Sequence, residues 1–242
     1  MARDSGEIRS SLCHGLIVSC QAEGDDPFNR PEYLALFALA AEMGGASGIR
    51  TCAPENIHAI RQAVSLPVIG LTKGRYPDGS VLITADFKDV EAILNAGAHV
   101  VAVDATNRLR PNGLSGAKFL SAVKERWDVP LVADISTLEE GLAALEAGAE
   151  AVATTLSGYT PSTTKHSEIE PDWELLISLV RATSAPIIME GRICTPVQAQ
   201  RAMDLGAFAV VVGTAITRPR VVTRAFVDAV SFHGERPRPT SE

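Results

Sequence analysis

The sequence has few cysteines, and no two of them have the spacing of a metal or redox motif. Its four cysteines among 242 residues, at positions 13, 20, 52 and 194, form no CxxC unit and lie in apolar or strand-like surroundings. That pattern predicts buried free thiols in a reducing compartment, with no disulfide framework. A chain of this length can bury a large core, so it needs neither a disulfide nor a metal ion to fold.

Long apolar runs and clusters of basic residues are also missing. No stretch is long enough to span a membrane, and the run Gly15–Cys20 is too short for the core of a secretory signal. Lysines and arginines are scattered over a chain of net charge -7, which argues against a nucleic-acid partner. The expected location is the cytoplasm, with no membrane partner.

What the sequence does contain is eight short apolar runs, rich in valine and isoleucine, that alternate with longer stretches of helical character. Their nearly continuous apolar character is typical of strands buried on both faces of a parallel sheet. Eight βα units favour closure into an α/β fold of the (β/α)8 or TIM-barrel class, and an open doubly wound sheet is the alternative. The predicted strands are Leu16–Ser19, Ser47–Arg50, Val68–Leu71, Val100–Asp104, Leu131–Asp134, Ala151–Thr155, Ile187–Glu190 and Val210–Gly213. The predicted helices cover about 32–43, 54–64, 87–96, 114–126, 138–147, 172–182, 196–205 and 219–230.

This pattern predicts a single domain over residues 1–242, with the barrel at about 12–230. Residues 1–11 form an N-terminal segment, for which a short helix across the bottom of the barrel is one expectation, and residues 233–242 have the composition of a disordered tail. The last helix carries an apolar stripe that predicts packing on the barrel, with a contribution to a homodimer as the alternative. That stripe consists of Val221, Val222, Ala225, Phe226 and Ala229.

Polar residues stand at the ends of nearly all the predicted strands, on the face of the barrel where enzymes of this class place their chemistry. A barrel that served only as a scaffold would not need charges at so many equivalent places. In chain order the residues are Gln21, Arg50, Lys73, Asp104, Asp134, Thr154 with Thr155, Glu190, and Gly213 with Thr214.

Several of these residues also have a purely structural interpretation. Lys73 fits a solvated turn, Asp134 precedes the start of a helix, and Asp104 could orient a nearby arginine. The alternative pairs for the charged residues are Arg50 with Glu23 or Asp25, Glu190 with Arg192, and Asp104 with Arg108 or Arg110.

The ends of the seventh and eighth strands indicate a phosphate site. Gly191 and Gly213 allow a close approach of the backbone to an oxyanion, and many barrels bind phosphate at these two loops. Arg192 adds a charged donor and Thr214 follows Gly213, although both glycines also fit ordinary tight turns.

Taken in order, these segments resemble the N-acylmannosamine-6-phosphate 2-epimerase family, over about residues 12–230. The sequence departs from the family pattern in the loop after the third strand, where Arg75 precedes Tyr76, and over residues 83–87. The segments that carry the resemblance are Gly15–Ala22, Gly48–Arg50, Pro67–Lys73, Asp104–Thr106, Asp134–Thr137, Thr154–Thr160, Glu190–Ile193 and Val212–Pro219.

The resemblance implies a barrel of the ribulose-phosphate-binding type and an isomerase that acts on a sugar phosphate. The implied reaction interconverts N-acetylmannosamine 6-phosphate and N-acetylglucosamine 6-phosphate by deprotonation and reprotonation at C2, in sialic acid and amino-sugar catabolism. It requires no cofactor and no metal. The implied roles are acid–base catalysis for Lys73 and Glu190, substrate binding for Gln21, Arg50 and Asp134, and phosphate binding for Gly191, Arg192, Gly213 and Thr214.

Two other functions are compatible with the same residues. Lys73 could form a Schiff base with a carbonyl substrate, as in a class I aldolase. A sensor that binds a sugar phosphate without turnover is the second alternative, and the presence of both Lys73 and Glu190 argues against it.

Overall fold

Eight parallel strands close into a barrel in the computed structural model, which describes residues 5–75, 81–164 and 170–231. Each barrel strand pairs in parallel with two neighbours, and the first two barrel strands of the chain pair with each other to close the ring. The prediction of a closed (β/α)8 barrel is therefore confirmed. The barrel strands are β1 (Leu16–Cys20), β2 (Gly48–Cys52), β3 (Val68–Leu71), β6 (Val100–Asp104), β7 (Leu131–Asp134), β8 (Ala151–Ala153), β9 (Ile187–Glu190) and β10 (Ala209–Val212).

Helices connect the successive strands on the outside of the barrel. Several begin with strong local signals, such as the reciprocal side-chain and backbone bonds between Thr137 and Glu140 at the start of the sixth helix. The helices are α1 (Ser5–Leu12), α2 (Pro31–Met43), α3 (Pro54–Ala63), α4 (Phe87–Asn95), α5 (Gly116–Lys124), α6 (Leu138–Glu146), α7 (Trp173–Ala182), α8 (Pro196–Asp204), α9 (Thr214–Thr217) and α10 (Pro219–Ser231).

A small antiparallel hairpin after β3 was not predicted from the sequence. Its strands β4 (Lys73–Arg75) and β5 (Val81–Ile83) pair with Lys73 opposite Ile83. Because Ile83 is buried in the barrel interior, this pairing holds the backbone of Lys73 at the mouth of the barrel. Lys73 therefore lies on a short strand, and the alternative interpretation of it as a residue of a solvated turn is wrong.

The barrel interior is an apolar cluster that begins at the N-terminal ends of the strands. Ile17, Val100, Val132 and Ile188 belong to it, and Leu12 from the end of α1 packs against them. Glycine at position 48 makes room for this contact, because an added Cβ there would lie 2.5 Å from the Leu12 Cδ2. The N-terminal helix thus closes the bottom of the barrel.

The last helix differs from the sequence-based prediction. None of the residues of α10 is buried, and the side chain of Phe226 is 69% exposed. The prediction that its apolar stripe packs on the barrel is therefore wrong. The predicted disordered tail at 233–242 lies outside the described residues.

The cysteines and the strand ends give two further corrections. All four cysteines are free thiols, but Cys13 and Cys194 are exposed, so the prediction of burial is wrong for these two. The sixth barrel strand ends at Ala153, and the predicted strand residues Thr154 and Thr155 begin a 3-10 turn instead. That turn redirects the chain across the top of the barrel.

In the part of the chain that the structure describes, no helix combines the length and the apolar character that a membrane span needs.

Candidate active site

The charged side chains of the candidate site point into the barrel and form a layer directly above the apolar side chains of its interior. Side chains two residues apart on a strand point to the same face, so Asp134 follows Val132 into the interior and Glu190 follows Ile188. Arg50 follows Gly48 on the same face of β2, and it is the middle residue of that strand, whereas the sequence predicted it as the last. The same strands that form the apolar core therefore position the three charges above it, with Asp134 and Glu190 as the last residues of β7 and β9.

Arg50 binds both carboxylates. Its Nη2 lies 2.7 Å from the Asp134 Oδ2, and its Nε lies 3.3 Å from the Glu190 Oε2. The side chains of Arg50 and Asp134 are fully buried and that of Glu190 is 13% exposed, so Glu190 alone of the three reaches the open side of the cluster. Burial opposes the charge of Arg50, but the carboxylates of Asp134 and Glu190 outweigh it and raise its pKa above the ordinary value.

Thr155 connects the two carboxyl groups from the 3-10 turn that follows β8. Its hydroxyl donates to the Asp134 Oδ1 at 2.6 Å and lies 3.1 Å from the Glu190 Oε2. Burial raises the pKa of Asp134 and of Glu190, although Arg50 acts in the opposite direction on both. Two carboxylates around one guanidinium leave one excess negative charge, so a proton or a second cation is needed for balance.

Lys73 is the cation that faces this cluster. It lies across a cavity of about 890 Å³ whose wall includes both Lys73 and Glu190. Its Nζ forms an ion pair with the Glu23 Oε1, and the Arg218 Nη2 lies 3.5 Å from the same oxygen. The predicted acid–base pair thus shares one cavity, which also contains Gln21, Gly191, Arg192, Gly213 and Thr214.

Gln21 has one polar atom available to a ligand. Its Nε2 donates to the Ser19 Oγ at 2.9 Å, whereas its Oε1 is buried and has no hydrogen-bond partner among the described residues. A buried carbonyl oxygen without a partner costs free energy, and a donor in the cavity would remove that cost. This geometry suits a hydroxyl or an amide N–H of a bound sugar.

The loops after β9 and β10 lie side by side on the cavity wall. Gly191 has a φ of 115°, which favours glycine, and Arg192 follows at a φ of 59°. The Arg192 guanidinium donates to the Ser157 carbonyl at 3.0 Å and lies over the Tyr159 ring at 4.9 Å from its centroid. Both residues line the cavity, and the contacts with Ser157 and Tyr159 fix the position of the Arg192 guanidinium.

The structure decides between most of the alternative pairings. Arg50 does not pair with Glu23, Glu190 pairs with Arg50 and not with Arg192, and the sixth helix is capped by Thr137 and not by Asp134 or Ser136. The structural interpretation of Asp104 is confirmed: its Oδ2 lies 2.7 Å from the Arg108 Nη2, and the Arg110 Nη2 donates to its carbonyl. Within the described ranges, no three His, Cys, Asp or Glu side chains are grouped as a metal site requires.

Comparison with known proteins identifies the family of this chain. A family model described as "Putative N-acetylmannosamine-6-phosphate epimerase" matches residues 34–232. The chain belongs to this family. Relatives described in the same words, as 2-epimerases, include one from Caldanaerobacter subterraneus subsp. tengcongensis at 49% identity, covering 91% of this chain and 93% of the relative. Another from Enterobacter sp. is 45% identical, with 90% and 93% covered.

Solved structures support the same assignment for this epimerase-family chain. The N-acetylmannosamine-6-phosphate 2-epimerase of Clostridium perfringens superposes with a TM-score of 0.88 at 40% identity, covering 95% of this chain and 99% of that chain. Thiamine phosphate pyrophosphorylase from Pyrococcus furiosus superposes with a TM-score of 0.58 at 17% identity, which shows a shared fold alone.

Several residues that line the epimerase cavity were not among the predicted site residues, and four of them are considered in turn. Thr155, Glu23, Arg218 and Tyr159 all contribute to its wall. Thr155 was noted as a strand end, and its position beside Thr154 is the signal that could have identified it. Glu23 and Arg218 lie on loops, where neither strand periodicity nor strand ends indicate which side chains turn inward.

Proposed function

We propose that this epimerase-family chain interconverts N-acetylmannosamine 6-phosphate and N-acetylglucosamine 6-phosphate by moving a proton at C2. The two sugars differ only in the configuration of that carbon. In the open-chain form the C2 proton is adjacent to the C1 aldehyde, so its removal gives an enediolate, and reprotonation from the opposite face inverts the centre. Such a reaction needs an acid–base group on each face and donors near O1.

One observation carries the proposal: Lys73 and Glu190 line the same cavity, from opposite parts of the barrel mouth. Lys73 is on the hairpin after β3, and Glu190 ends β9. Burial raises the pKa of Glu190, although Arg50 lowers it, so this carboxyl group is suited to hold a proton and return it. In this proposal the two residues are the acid–base pair.

Of the remaining predicted residues, Gln21 and the loops after β9 and β10 hold the substrate in the proposal. The resemblance implies substrate binding for Arg50 and Asp134 as well, but both side chains are fully buried and neither residue lines the cavity, so the proposal gives them a different role. The free Gln21 oxygen accepts from a sugar hydroxyl or the acetamido N–H, and Arg50 with Asp134 orients Glu190 from below. The 6-phosphate binds at the loops after β9 and β10, through backbone N–H groups of Gly191, Arg192, Gly213 and Thr214.

A homodimer is part of the same proposal. The helix α10 exposes a row of apolar side chains whose exposed fractions are 43% for Val221, 69% for Phe226, 46% for Val227 and 73% for Val230. An apolar surface of this kind on an otherwise polar helix is typical of a protein contact. Val221 and Ala225 also border the cavity, so a second copy on this helix would help to enclose the site. Light scattering should give twice the mass of one chain, and a monomer at micromolar concentration would contradict this part of the proposal.

The experiment that tests the reaction is proton NMR of N-acetylmannosamine 6-phosphate with the purified protein in D2O. We expect N-acetylglucosamine 6-phosphate with deuterium at C2, and a loss of turnover of at least about a thousandfold in Lys73→Ala and in Glu190→Gln. Lys88→Ala, on an exposed turn of α4, is the matched control and should retain full turnover.

Two outcomes would contradict the proposal. Near wild-type turnover in folded Lys73→Ala would remove Lys73 from the acid–base pair. A stable mass adduct on Lys73 after borohydride reduction with substrate would instead support the aldolase alternative, because a Schiff base is reduced and an epimerase forms none.

A further inference from the structure

Three consecutive residues of the loop after β8 surround the guanidinium of Arg192, which lies on the loop after β9. The Arg192 Nη2 donates to the Ser157 carbonyl at 3.0 Å, and the Arg192 Cζ lies 4.9 Å from the centroid of the Tyr159 ring. Between these two contacts Gly158 leaves no room for a side chain, because an added Cβ would lie 3.1 Å from the Arg192 Cζ and closer still to its Nη2. Ser157, Gly158 and Tyr159 together form the guanidinium seat.

The guanidinium seat is attached to the barrel on both sides of Tyr159. Ser157 and Thr160 are buried, the Ser157 Oγ donates to the Asp172 Oδ2 at 2.5 Å, and the Thr160 Oγ1 donates to the Ser136 Oγ at 3.0 Å. The side chain of Tyr159 is nevertheless 62% exposed. Because the backbone on both sides of it is fixed, the ring stays over the guanidinium without being buried itself.

The turn to which Arg192 belongs needs such support. Its φ of 59° is in the left-handed region, which is unfavourable for a residue with a side chain and persists only where surrounding contacts determine it. The guanidinium seat supplies those contacts at the far end of the side chain. Gly191 and Arg192 line the cavity together with Gly213 and Thr214, so this turn lies where the proposed function places the 6-phosphate.

We propose that Tyr159 is a positioning residue of the phosphate site. Its ring holds the Arg192 guanidinium in the seat, and the held side chain keeps the turn Gly191–Arg192 in the conformation that binds the 6-phosphate. The inference rests on the proposed function, which places the phosphate at this turn. An arginine side chain loses much rotamer freedom when it becomes ordered, and a site that is ordered before its ligand arrives binds that ligand more tightly. The benefit should therefore appear in the affinity for phosphate and not in the chemical step.

The expected effect is small because the ring is exposed. A cation–π contact at an exposed site is weak, so Tyr159→Leu should raise the Kd of inorganic phosphate and the KM of the sugar phosphate about two- to fivefold, with kcat unchanged. A phosphorus NMR titration measures the Kd. Tyr159→Phe keeps the ring and should bind phosphate as the wild type does. The matched control is Tyr33→Leu on α2, because Tyr33 is also exposed and its ring contacts Phe28 and not an arginine.

A double-mutant cycle tests whether Tyr159 acts through Arg192. In an Arg192→Ala background there is no guanidinium to hold, so adding Tyr159→Leu should leave the Kd of inorganic phosphate at its Arg192→Ala value. Gly158→Ala gives a second cycle, because its Cβ meets the Arg192 side chain and should weaken phosphate binding more in the wild type than in Arg192→Ala. The φ of 83° at Gly158 strains an alanine equally in both backgrounds, so this strain cancels in the cycle.

Multiplicative effects of Tyr159→Leu and Arg192→Ala on the Kd would overturn the inference, because Tyr159 would then act on the ligand without Arg192. An unchanged Kd in Tyr159→Leu, or an equal loss of affinity in Tyr159→Phe, would contradict it as well. The Kd of inorganic phosphate also separates this inference from the proposed reaction. If the wild type bound phosphate and left the sugar phosphate unchanged, the reaction assignment would fail, whereas the cycle would still decide the role of Tyr159.

Discussion

The two ends of the barrel interior are built by the same strands and have opposite chemistry. At the bottom, Val132 and Ile188 pack with Leu12 in a wholly apolar layer. Two residues further along the same strands, Asp134 and Glu190 form a charged layer around Arg50. The bottom layer stabilises the fold, because burying apolar area is favourable. In the top layer three charges lose their hydration, and only their ion pairs and hydrogen bonds with one another offset that free-energy cost. The layer that stabilises the fold and the layer that carries the charged groups are therefore only two residues apart along each strand.

The largest expected effect comes from breaking the charged layer with Arg50→Met. This change leaves the carboxyl groups of Asp134 and Glu190 buried without their cation, which costs about 3–5 kcal/mol of unfolding free energy at neutral pH. Turnover should be lost as well, because Glu190 loses the partner that orients it. Urea denaturation and the NMR assay measure the two losses.

The pH dependence of that loss has a definite sign. A carboxyl group whose folded pKa is raised, as for Asp134 and Glu190, stabilises the fold fully below its unfolded value near pH 4 and loses this contribution as the pH rises through the folded pKa. Without Arg50 the cause that lowers both pKa values is gone. The difference in stability between Arg50→Met and wild type should therefore shrink as the pH falls, and a constant difference from pH 8 to pH 5 would contradict the interpretation. Arg50→Lys, which retains a charge, should lose less stability.

A smaller effect is expected at the bottom of the barrel, from Leu12→Ala. The change leaves a cavity between α1 and the apolar layer and should cost about 2–3 kcal/mol of unfolding free energy. Because the site lies at the other end of the strands, kcat and KM should stay at the wild-type values. The control is Leu36→Ala on α2, whose side chain is 62% exposed and should change stability by less than about 0.5 kcal/mol. A large change of kcat in Leu12→Ala would show that the two ends are coupled.

The apolar layer is also the part of the molecule that the sequence predicts best. The bounds of β3, β6, β7 and β9 agree with prediction, because a strand buried on both faces reads as an unbroken run of valine, isoleucine and leucine. The sequence also predicts which residues form the charged layer, because polar residues at the ends of the predicted strands can be listed once those strands are placed. It does not predict that Arg50 binds Asp134 and Glu190, because these contacts join strands that meet only when the barrel has closed.

The parts that differ from prediction depend on contacts outside single strands. The strands β4 and β5 have three residues each, too short for an alternating pattern, and their pairing depends on the burial of Ile83 in the interior. The sequence correctly predicts an apolar stripe on α10. Periodicity shows that a helix has an apolar face, but it does not show what that face contacts. The pairing of Lys73 with Glu23 is a loop contact of the same non-local kind.

The smallest effect on activity and stability is expected from removing the Thr155 hydroxyl in the charged layer. Thr155→Val removes the hydroxyl that lies between Asp134 and Glu190 and keeps the volume of the side chain. A hydroxyl has a single proton and can donate it to only one of the two carboxyl groups. For both the 2.6 Å and the 3.1 Å contact to be hydrogen bonds, the other carboxyl group must carry a proton and donate it to the hydroxyl oxygen. We expect about a tenfold lower kcat/KM, equivalent to about 1.4 kcal/mol, with a comparable loss of stability.

The conservative variant Thr155→Ser decides what this hydroxyl does. Serine retains the oxygen and loses only a methyl group, so it should restore most of the activity if the hydroxyl links Asp134 to Glu190. If Thr155→Ser were as impaired as Thr155→Val, the packing of the methyl group would be responsible, and the charged layer would depend on Arg50 alone. The acidic limb of the kcat/KM profile separates these cases as well. Loss of the donor makes the ionised carboxylates less favourable, which moves that limb to higher pH, whereas loss of packing leaves it in place.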